Sequence, residues 1–359
     1  MLNLLLIFLP VTLVLEFIYP QYHSLTFITS ALAIIPLAAW LSHATEHLAE
    51  KTGEGVGGLL NATFGNAAEL IIALAAMRAG LFEIVKASIV GSIIGNILLV
   101  MGASMLAGGL KFHEQNYNAS AARSQASMLA LSIFALIFPS LFHSVLGSDP
   151  VELHRQLSLI TAIILFLAYI LNLIFQLVTH KGLFAVGEGH AVEEEANPSW
   201  SVGKSILVLG IATALIAWMS EILVGAVEPA AKSFGMNTIF IGVVIVGIIG
   251  NAAEHTAAIV MARKNRMDLS LSIAIGSSVQ VTLFLAPLLV FLSYALAPRP
   301  FDLIFGTTLV LVMFLAVLII GQIAGDGESN WLKGVQLLVL YLLIAVAFFF
   351  IPSGMVRPG

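Results

Sequence analysis

Long apolar runs, separated by short polar intervals, follow one another from one end of the chain to the other. A run of about 20 apolar residues is long enough to cross the hydrocarbon of a bilayer as a helix. Eleven such spans are predicted, near residues 2–18, 25–45, 58–79, 84–109, 122–144, 156–179, 202–226, 237–262, 268–296, 302–324 and 331–351. Most connections between them are short. The exception is His180 to Pro198, which carries Glu188, Glu193, Glu194 and Glu195 and reads as a linker. The pattern therefore predicts an all-α, polytopic membrane protein of about eleven transmembrane helices.

Composition sharpens this picture. Of 359 residues, 59% are hydrophobic and 10% charged, against roughly 45–50% and 25% in a soluble domain. A net charge of -5 is too mild to suggest a nucleic-acid partner. There is no cysteine, which excludes disulfides, thiolate chemistry and Cys-based metal sites. The first span has no basic leader and no small-residue cleavage site, so it reads as a retained helix.

The placement of Lys and Arg sets the expected orientation. If successive loops alternate sides, the side of the N-terminus collects Lys51, Lys111, Arg123, Lys181, Lys204, Arg263, Lys264, Arg266 and Lys333. The other side collects Arg78, Lys86, Arg155, Lys232, Arg299 and Arg357. The excess of positive charge then puts the N-terminus and the acidic linker in the cytoplasm.

An internal repeat organises the chain. Gly65-Asn66-Ala67-Ala68-Glu69 recurs as Gly250-Asn251-Ala252-Ala253-Glu254, an offset of 185 residues, and Gly91-Ser92 recurs as Gly276-Ser277 at the same offset. The expected division is an accessory helix in 1–20, a first five-helix repeat in 21–180, an acidic cytoplasmic linker in 181–200 and a second five-helix repeat in 201–359. Five is odd, so the second copy enters the membrane inverted. In inverted-repeat transporters the site forms near the midplane, where interrupted helices of the two halves meet.

The repeated motif carries the chemistry. Asn66 and Glu69 stand three apart, which places them on one helix face. Gly65 and Gly250 can interrupt a helix and free backbone carbonyls, tolerated at membrane depth only against protein, water or an ion. A charged glutamate there is costly unless protonated or paired, and neither motif has a Lys or Arg within its own span. Two carboxylates neutralise one divalent cation or two protons. That competition is the basis of exchange. A hard divalent ion such as Ca2+ takes about 6–8 oxygens from carboxylates, amides, carbonyls and water, so Ser92, Asn96, Ser277 and Gln280 are further candidate ligands, Ser278 beside them. Their alternative role is to hydrogen-bond helices together. His255, next to Glu254, is a candidate proton relay or an interhelical hydrogen-bond partner.

Other residues suggest other chemistries. His43-Ala44-Thr45-Glu46-His47 matches the H-x-x-E-H zinc pattern, which would make an intramembrane zinc protease. It leaves the repeat unexplained. A cation channel is a second alternative. Channels build pores from rings of symmetric subunits, whereas one acid per inverted half fits a carrier. Glu193, Glu194 and Glu195 form a solvated linker or a regulatory cation sensor. No cofactor is implied, and a homo-oligomer is left open.

The segments GNAAELIIAL at 65–74 and GNAAEHTAAI at 250–259 resemble the two signature repeats of the Ca2+/H+ antiporter (cation/proton exchanger, CAX) family of the Ca2+/cation antiporter superfamily. GSIIGNILLVMG at 91–102 and GSSVQVTLFLAPLLV at 276–290 resemble its next segments. The resemblance implies alternating access by ten core helices plus one, Ca2+ and H+ as the transported pair, and Glu69 and Glu254 as the shared cation- and proton-binding acids. It further implies that Glu46, Glu221 and Glu228 are acids on gating helices. The Na+/Ca2+ exchanger branch has a proline before its repeat glutamate and an aspartate in the later segment. Ala68, Ala253 and Gln280 stand at those places here, which favours H+ over Na+ as counter-ion and leaves Mn2+ or Na+ antiport as the alternative. Short loops and no targeting extension fit a prokaryotic plasma (inner) membrane.

Overall fold

The structure is a computed structural model, which describes residues 2–52, 54–146, 151–180 and 200–351. Glu188, His190, Glu193, Glu194 and Glu195, the acidic linker, lie outside the described residues. The described residues form thirteen helices and one small ribbon: α1 Leu2–Ile18, α2 His23–Thr52, α3 Glu54–Phe64, α4 Ala67–Arg78, α5 Phe82–Phe112, α6 Ala119–Leu146, α7 Val151–Thr179, α8 Val202–Phe234, α9 Thr238–Gly250, α10 Ala252–Arg263, α11 Met267–Leu296, α12 Thr307–Ile323 and α13 Trp331–Phe350. Strands β1 Glu114–Asn116 and β2 Glu328–Asn330 pair antiparallel, with Gln115 opposite Ser329. Taking α3 with α4 and α9 with α10 as single broken segments, each predicted span falls in one helical segment. Seven helices are long and apolar enough to cross a bilayer individually, and α9 with α10 makes an eighth across a 63° bend.

The chain is an integral membrane protein, and its packing explains why. Leu4, Phe17, Leu171, Leu343 and Phe350 point outward as large exposed apolar side chains, a surface that suits lipid and not water. Inward-facing residues form two clusters. One is built mainly by α5, α6, α11, α12 and α13. The other runs along the contact of α2 with α8 and includes Phe27, Ile34, Leu37, Ile216, Met219 and Leu223.

Contacts between loops sort the helix ends into two faces. On the face of the α2–α3 connection, the Lys111 ammonium donates to the Arg263 carbonyl at 3.0 Å and Gln115 donates to the Ala262 carbonyl at 2.9 Å. Lys333 pairs with Asp326 at 2.7 Å there, and Arg123 donates to the Gly325 carbonyl. On the opposite face, Lys86 meets Asp302 at 2.8 Å, Arg299 lies over the Phe82 ring, and the Asn237 amide donates to the carbonyls of Phe348 and Ile351. For the basic residues in these contacts, the alternation of sides expected from the sequence matches these two faces.

Two helix ends differ from expectation. α2 runs on to Thr52, past the predicted end near 45, because Glu46, His47, Leu48, Ala49, Glu50 and Lys51 tolerate a helix once it leaves the hydrocarbon. The tenth span begins as helix only at Thr307, although Leu303, Ile304 and Phe305 are apolar enough to extend it. Residues 301–306 run without helix because serine hydroxyls satisfy their backbone. Ser158 accepts from the Leu303 amide at 3.0 Å, Ser140 accepts from the Phe305 amide at 2.8 Å, and Ser140 donates to the Leu303 carbonyl. Non-helical backbone at this depth requires such partners.

Close backbone approach fixes the centre. α9 lies against α5, where a Cβ on Gly242 would stand 2.5 Å from that of Ala87, and one on Gly247 would stand 2.8 Å from the Gly91 carbonyl carbon. Gly91 itself meets the Val243 backbone. Such small-residue seams let helices pack by van der Waals contact where the lipid provides no hydrophobic drive. α5 carries a π-helical stretch at Gly95–Val100 and α11 one at Val281–Leu285, nearly the same place at the 185-residue offset. π-helical turns concentrate at functional sites.

Gly91→Leu should destabilise by at least about 1–3 kcal/mol through overpacking, while Gly210→Leu, with nothing near its Cβ, should stay within about 0.5 kcal/mol. Thermal unfolding midpoints in detergent check the difference. Asp302→Ala leaves Lys86, only 1% exposed, with Glu83 at 3.5 Å as its remaining partner; a loss of about 3 kcal/mol is expected from the half-broken buried pair, read by the same measurement.

Candidate cation site

Both motif glutamates sit in the first turn of a helix that restarts in the middle of the protein. α4 begins at Ala67 after Asn66, whose backbone has φ -98° and ψ 20°. α10 begins at Ala252 after Asn251, with φ -96° and ψ 10°. The same five-residue motif thus breaks two helices in the same way. Glu69 and Glu254 are each the third helical residue after the break. Asn66 and Asn251 are not interior helical residues sharing a face with the glutamates, as a continuous helix would have made them. They are the junction residues, and their side chains turn away to the other half.

Those side chains brace the halves together. The Asn251 amide donates to Ser92 Oγ at 2.9 Å, and the hydroxyl of Ser277 donates to Asn66 Oδ1 at 3.5 Å. These are equivalent contacts, exchanged between halves at the 185-residue offset. Asn66 also donates to Gln280 Oε1 at 2.5 Å. Asn96 donates to Asn251 Oδ1 at 3.3 Å and to Ser277 Oγ at 3.1 Å, and its carbonyl meets His255 Nε2 at 3.2 Å. Asn96, buried at 1% exposure, is therefore a brace with every polar atom engaged. The Asn251 amide also donates to the Gly247 carbonyl at 2.9 Å, so a carbonyl freed by the break is satisfied within the protein. Ser278 donates to the Ala274 carbonyl of its own helix.

The two glutamates have unlike surroundings. Glu254 is half-buried, accepts from Ser277 Oγ at 3.1 Å and lines a vestibule of about 380 Å³. Glu46, Asn61, Gly65, Gln176, Gly276 and Gln280 also line it, so its lining includes residues near the end of α2 and the end of α7. Glu69 is buried, and neither carboxyl oxygen has a hydrogen-bond partner among the described residues. It borders an enclosed space of about 10 Å³ with Ser88 and Ser92, the size of roughly one water. A Cβ at Gly250 would lie 2.7 Å from Glu69 Cγ, which is why only glycine fits there. Gly65 has no glutamate against it; its nearest cross-helix atom is Gln280 Oε1, at 3.8 Å from a built Cβ.

Of the gating acids that the resemblance implies, Glu46 lines the vestibule with Glu254 but joins none of these hydrogen bonds, and Glu221 and Glu228 are not in its lining. Glu46 meets His43 at 3.4 Å, Glu221 meets Arg78 at 3.6 Å with both side chains 63% exposed, and Glu228 is exposed on α8. The zinc pattern does not assemble. His43 pairs with Glu46 and His47 with Glu50, each at 3.4 Å, and among the described residues no three His, Asp or Glu converge. Sequence reasoning did not anticipate the exchanged Asn–Ser pairs. The shared offset held the signal, since a two-fold axis that brings residue 251 to 92 also brings 66 to 277. Nothing in the sequence signalled the Asn96–His255 contact, whose equivalent positions are Val281 and Leu70.

The sodium/calcium exchanger protein model matches residues 22–178 and 204–350, one stretch on either side of the linker. The chain belongs to this family. It is similar to a Ca(2+)/H(+) antiporter of Synechocystis sp., 43% identical over 343 residues that cover 91% of each chain. It is similar to the Ca(2+)/H(+) antiporter ChaA of Bacillus subtilis, 43% identical over 90% of this chain and 91% of that one. A vacuolar calcium ion transporter of Schizosaccharomyces pombe is 39% identical over 98% of this chain and 85% of its own length. Among solved structures, native YfkE superposes with a TM-score of 0.84 at 36% identity, covering 98% of this chain and all of that one. The H+/Ca2+ exchanger CAX, at 17% identity and a TM-score of 0.71, shares the fold.

Asn251→Leu should strand Ser92 and one Asn96 amide hydrogen without partners, at a cost of about 1–3 kcal/mol. The expected result is a lower unfolding midpoint in detergent, against a near-neutral Ser278→Ala.

Proposed function

We propose that this chain is a secondary active transporter, not an enzyme, that exchanges Ca2+ for H+ by alternating access, with Glu69 and Glu254 holding Ca2+ or protons in competition. The observation that carries the reading is the pair of matched helix breaks, each placing one carboxylate at the protein's centre with no basic side chain bonded to it among the described residues. A carboxylate in such a position is costly as a free charge. Two of them are neutralised by one divalent cation or by two protons, so loading one expels the other. The similarity to proteins named Ca2+/H+ antiporters supports this choice of ions. Gln280, a neutral side chain bonded to Asn66, lines the vestibule and supports the preference for H+ over Na+.

Neutral oxygens complete the ligand set in this reading. Ser277 and Gln280 face the vestibule with Glu254, and the backbone ends of α3 and α9 present carbonyls at the breaks, where half-helix C-termini favour cations. The vestibule at Glu254, with Ser42, Glu46 and Gln176 in its lining, supports reading this conformation as one end state of the cycle. With the basic face cytoplasmic, Ca2+ enters the vestibule from the cytoplasm onto deprotonated acids, and protons arriving from the far side release it there. Each ligand shifts the balance of states by its differential affinity. This orientation makes the protein an exporter in a prokaryotic plasma membrane. The same reading divides the chain into the accessory helix, two five-helix repeats and a cytoplasmic linker, whose Glu193, Glu194 and Glu195 would sense cytoplasmic Ca2+.

Proteoliposomes with an imposed pH gradient test the proposal, with Ca2+, Mn2+, Cd2+ and Na+ supplied in turn. Ca2+ should drive proton movement, saturably. Glu69→Gln and Glu254→Gln should each reduce that flux to the leak of protein-free vesicles. Undiminished flux in both variants would refute the role given to the glutamates.

A further inference from the structure

A pair of histidines lies away from the cation site, on the α6–α7 hairpin at the face that carries Lys86 and Asp302. His143 Nδ1 stands 3.0 Å from His154 Nε2, with the ring planes at 90° and the centroids 4.5 Å apart. Both side chains are half-buried, one near the end of α6 and the other in the first turn of α7. Each is in register with a serine that fixes the hairpin. His143 follows Ser140 by three residues and His154 precedes Ser158 by four, so each shares a helix face with its serine. Ser140 and Ser158 both bond the backbone of Leu303, and Ser140 bonds that of Phe305 as well. The histidines thus sit one turn outward from a clamp that holds α6 and α7 at a set spacing. The last two helices of the second half, α12 and α13, hold no histidine, so a helix pair there forms without one.

We propose that His143 and His154 form a binding site for a divalent metal of the Zn2+ or Ni2+ class, separate from the cation site and closed to Ca2+. Imidazole nitrogens suit such metals, whereas Ca2+ takes oxygen ligands. A tetrahedral ion with Zn–N bonds of about 2.0–2.1 Å holds two nitrogen donors about 3.4 Å apart. The 3.0 Å between these two nitrogens is close to that span, and a small rotation of either ring makes up the difference. Without metal, the two facing nitrogens share one N–H. Metal binding moves that proton to the outer nitrogen of its own ring, so both facing nitrogens offer a lone pair. Glu152, two residues from His154, is engaged along α7, where it accepts from Gln156 at 3.3 Å and lies 3.9 Å from Arg155. Among the described residues no third His, Asp or Glu joins the two imidazoles, so water completes the coordination.

Zn2+ binding to full-length, tag-free protein in detergent tests the proposal, by titration calorimetry and by the thermal unfolding midpoint. The background carries Glu254→Gln and His43→Ala, which removes one carboxylate of the cation site and splits the His43–His47 pair on the other face. In that background Zn2+ should bind and raise the midpoint, since a ligand held by the folded state stabilises it. Ca2+ in excess should leave the Zn2+ affinity unchanged. Adding His143→Ala, or His154→Ala, should weaken Zn2+ at least tenfold and abolish the rise; His154→Asn, which keeps a hydrogen-bonding group, takes the place of the alanine variant if that one does not fold. A midpoint that Zn2+ leaves unmoved in the background overturns the inference, and is what a pair that only hydrogen-bonds two helices would give. Undiminished Zn2+ affinity in either histidine variant, or displacement of Zn2+ by Ca2+, overturns it as well.

Discussion

The fold depends on one constraint, that polar groups at the centre of a bilayer must find partners inside the protein. Two helices are broken there by the same motif, and each break leaves backbone groups and a carboxylate in the interior. Asn251 answers on one side by donating to the Gly247 carbonyl and to Ser92. Asn66 answers on the other by bonding Gln280 and accepting from Ser277. Asn96 ties the two sets together through Asn251 and Ser277. The halves are held at the one place where an apolar core would have been simpler, because the breaks bring the acids to the centre.

Departures from two-fold symmetry carry as much meaning as the symmetry. Glu254 looks onto a vestibule while Glu69 is enclosed. Gly250 is pressed by Glu69, whereas Gly65 is not pressed by Glu254. His255 and Asn96 form a polar contact whose symmetry equivalents, Leu70 and Val281, are apolar. Some of these differences belong to the sequence and hold in every state. Others sit on identical residues and therefore belong to the conformation, and the pressing of Gly250 by Glu69 but not of Gly65 by Glu254 is the clearest of them.

Much of the architecture was legible in the sequence because bilayer thickness imposes a length on every span and a cost on every charge. Helix existence and order followed from apolar runs. The ends of α2 and the start of α12 were not legible. Polar residues can continue a helix outside the hydrocarbon, and Ser140 and Ser158 lie more than 140 residues from the backbone they satisfy. For the same reason the burial of Lys86 was hidden, since its partner Asp302 arrives from a remote connection.

The sequence by itself determined the repeat, the two glutamates and the small residues around them, because a duplicated motif at a fixed offset is a local pattern that survives without coordinates. Tertiary structure alone decided that Asn66 and Asn251 are junctions bridging the halves, that Asn96 is a brace with no polar atom spare, and that Glu254 lines a vestibule while Glu69 borders a space of about 10 Å³. Those outcomes depend on which helices meet, and hydrogen bonds across 150 residues or more of chain leave no spacing in the sequence that could announce them.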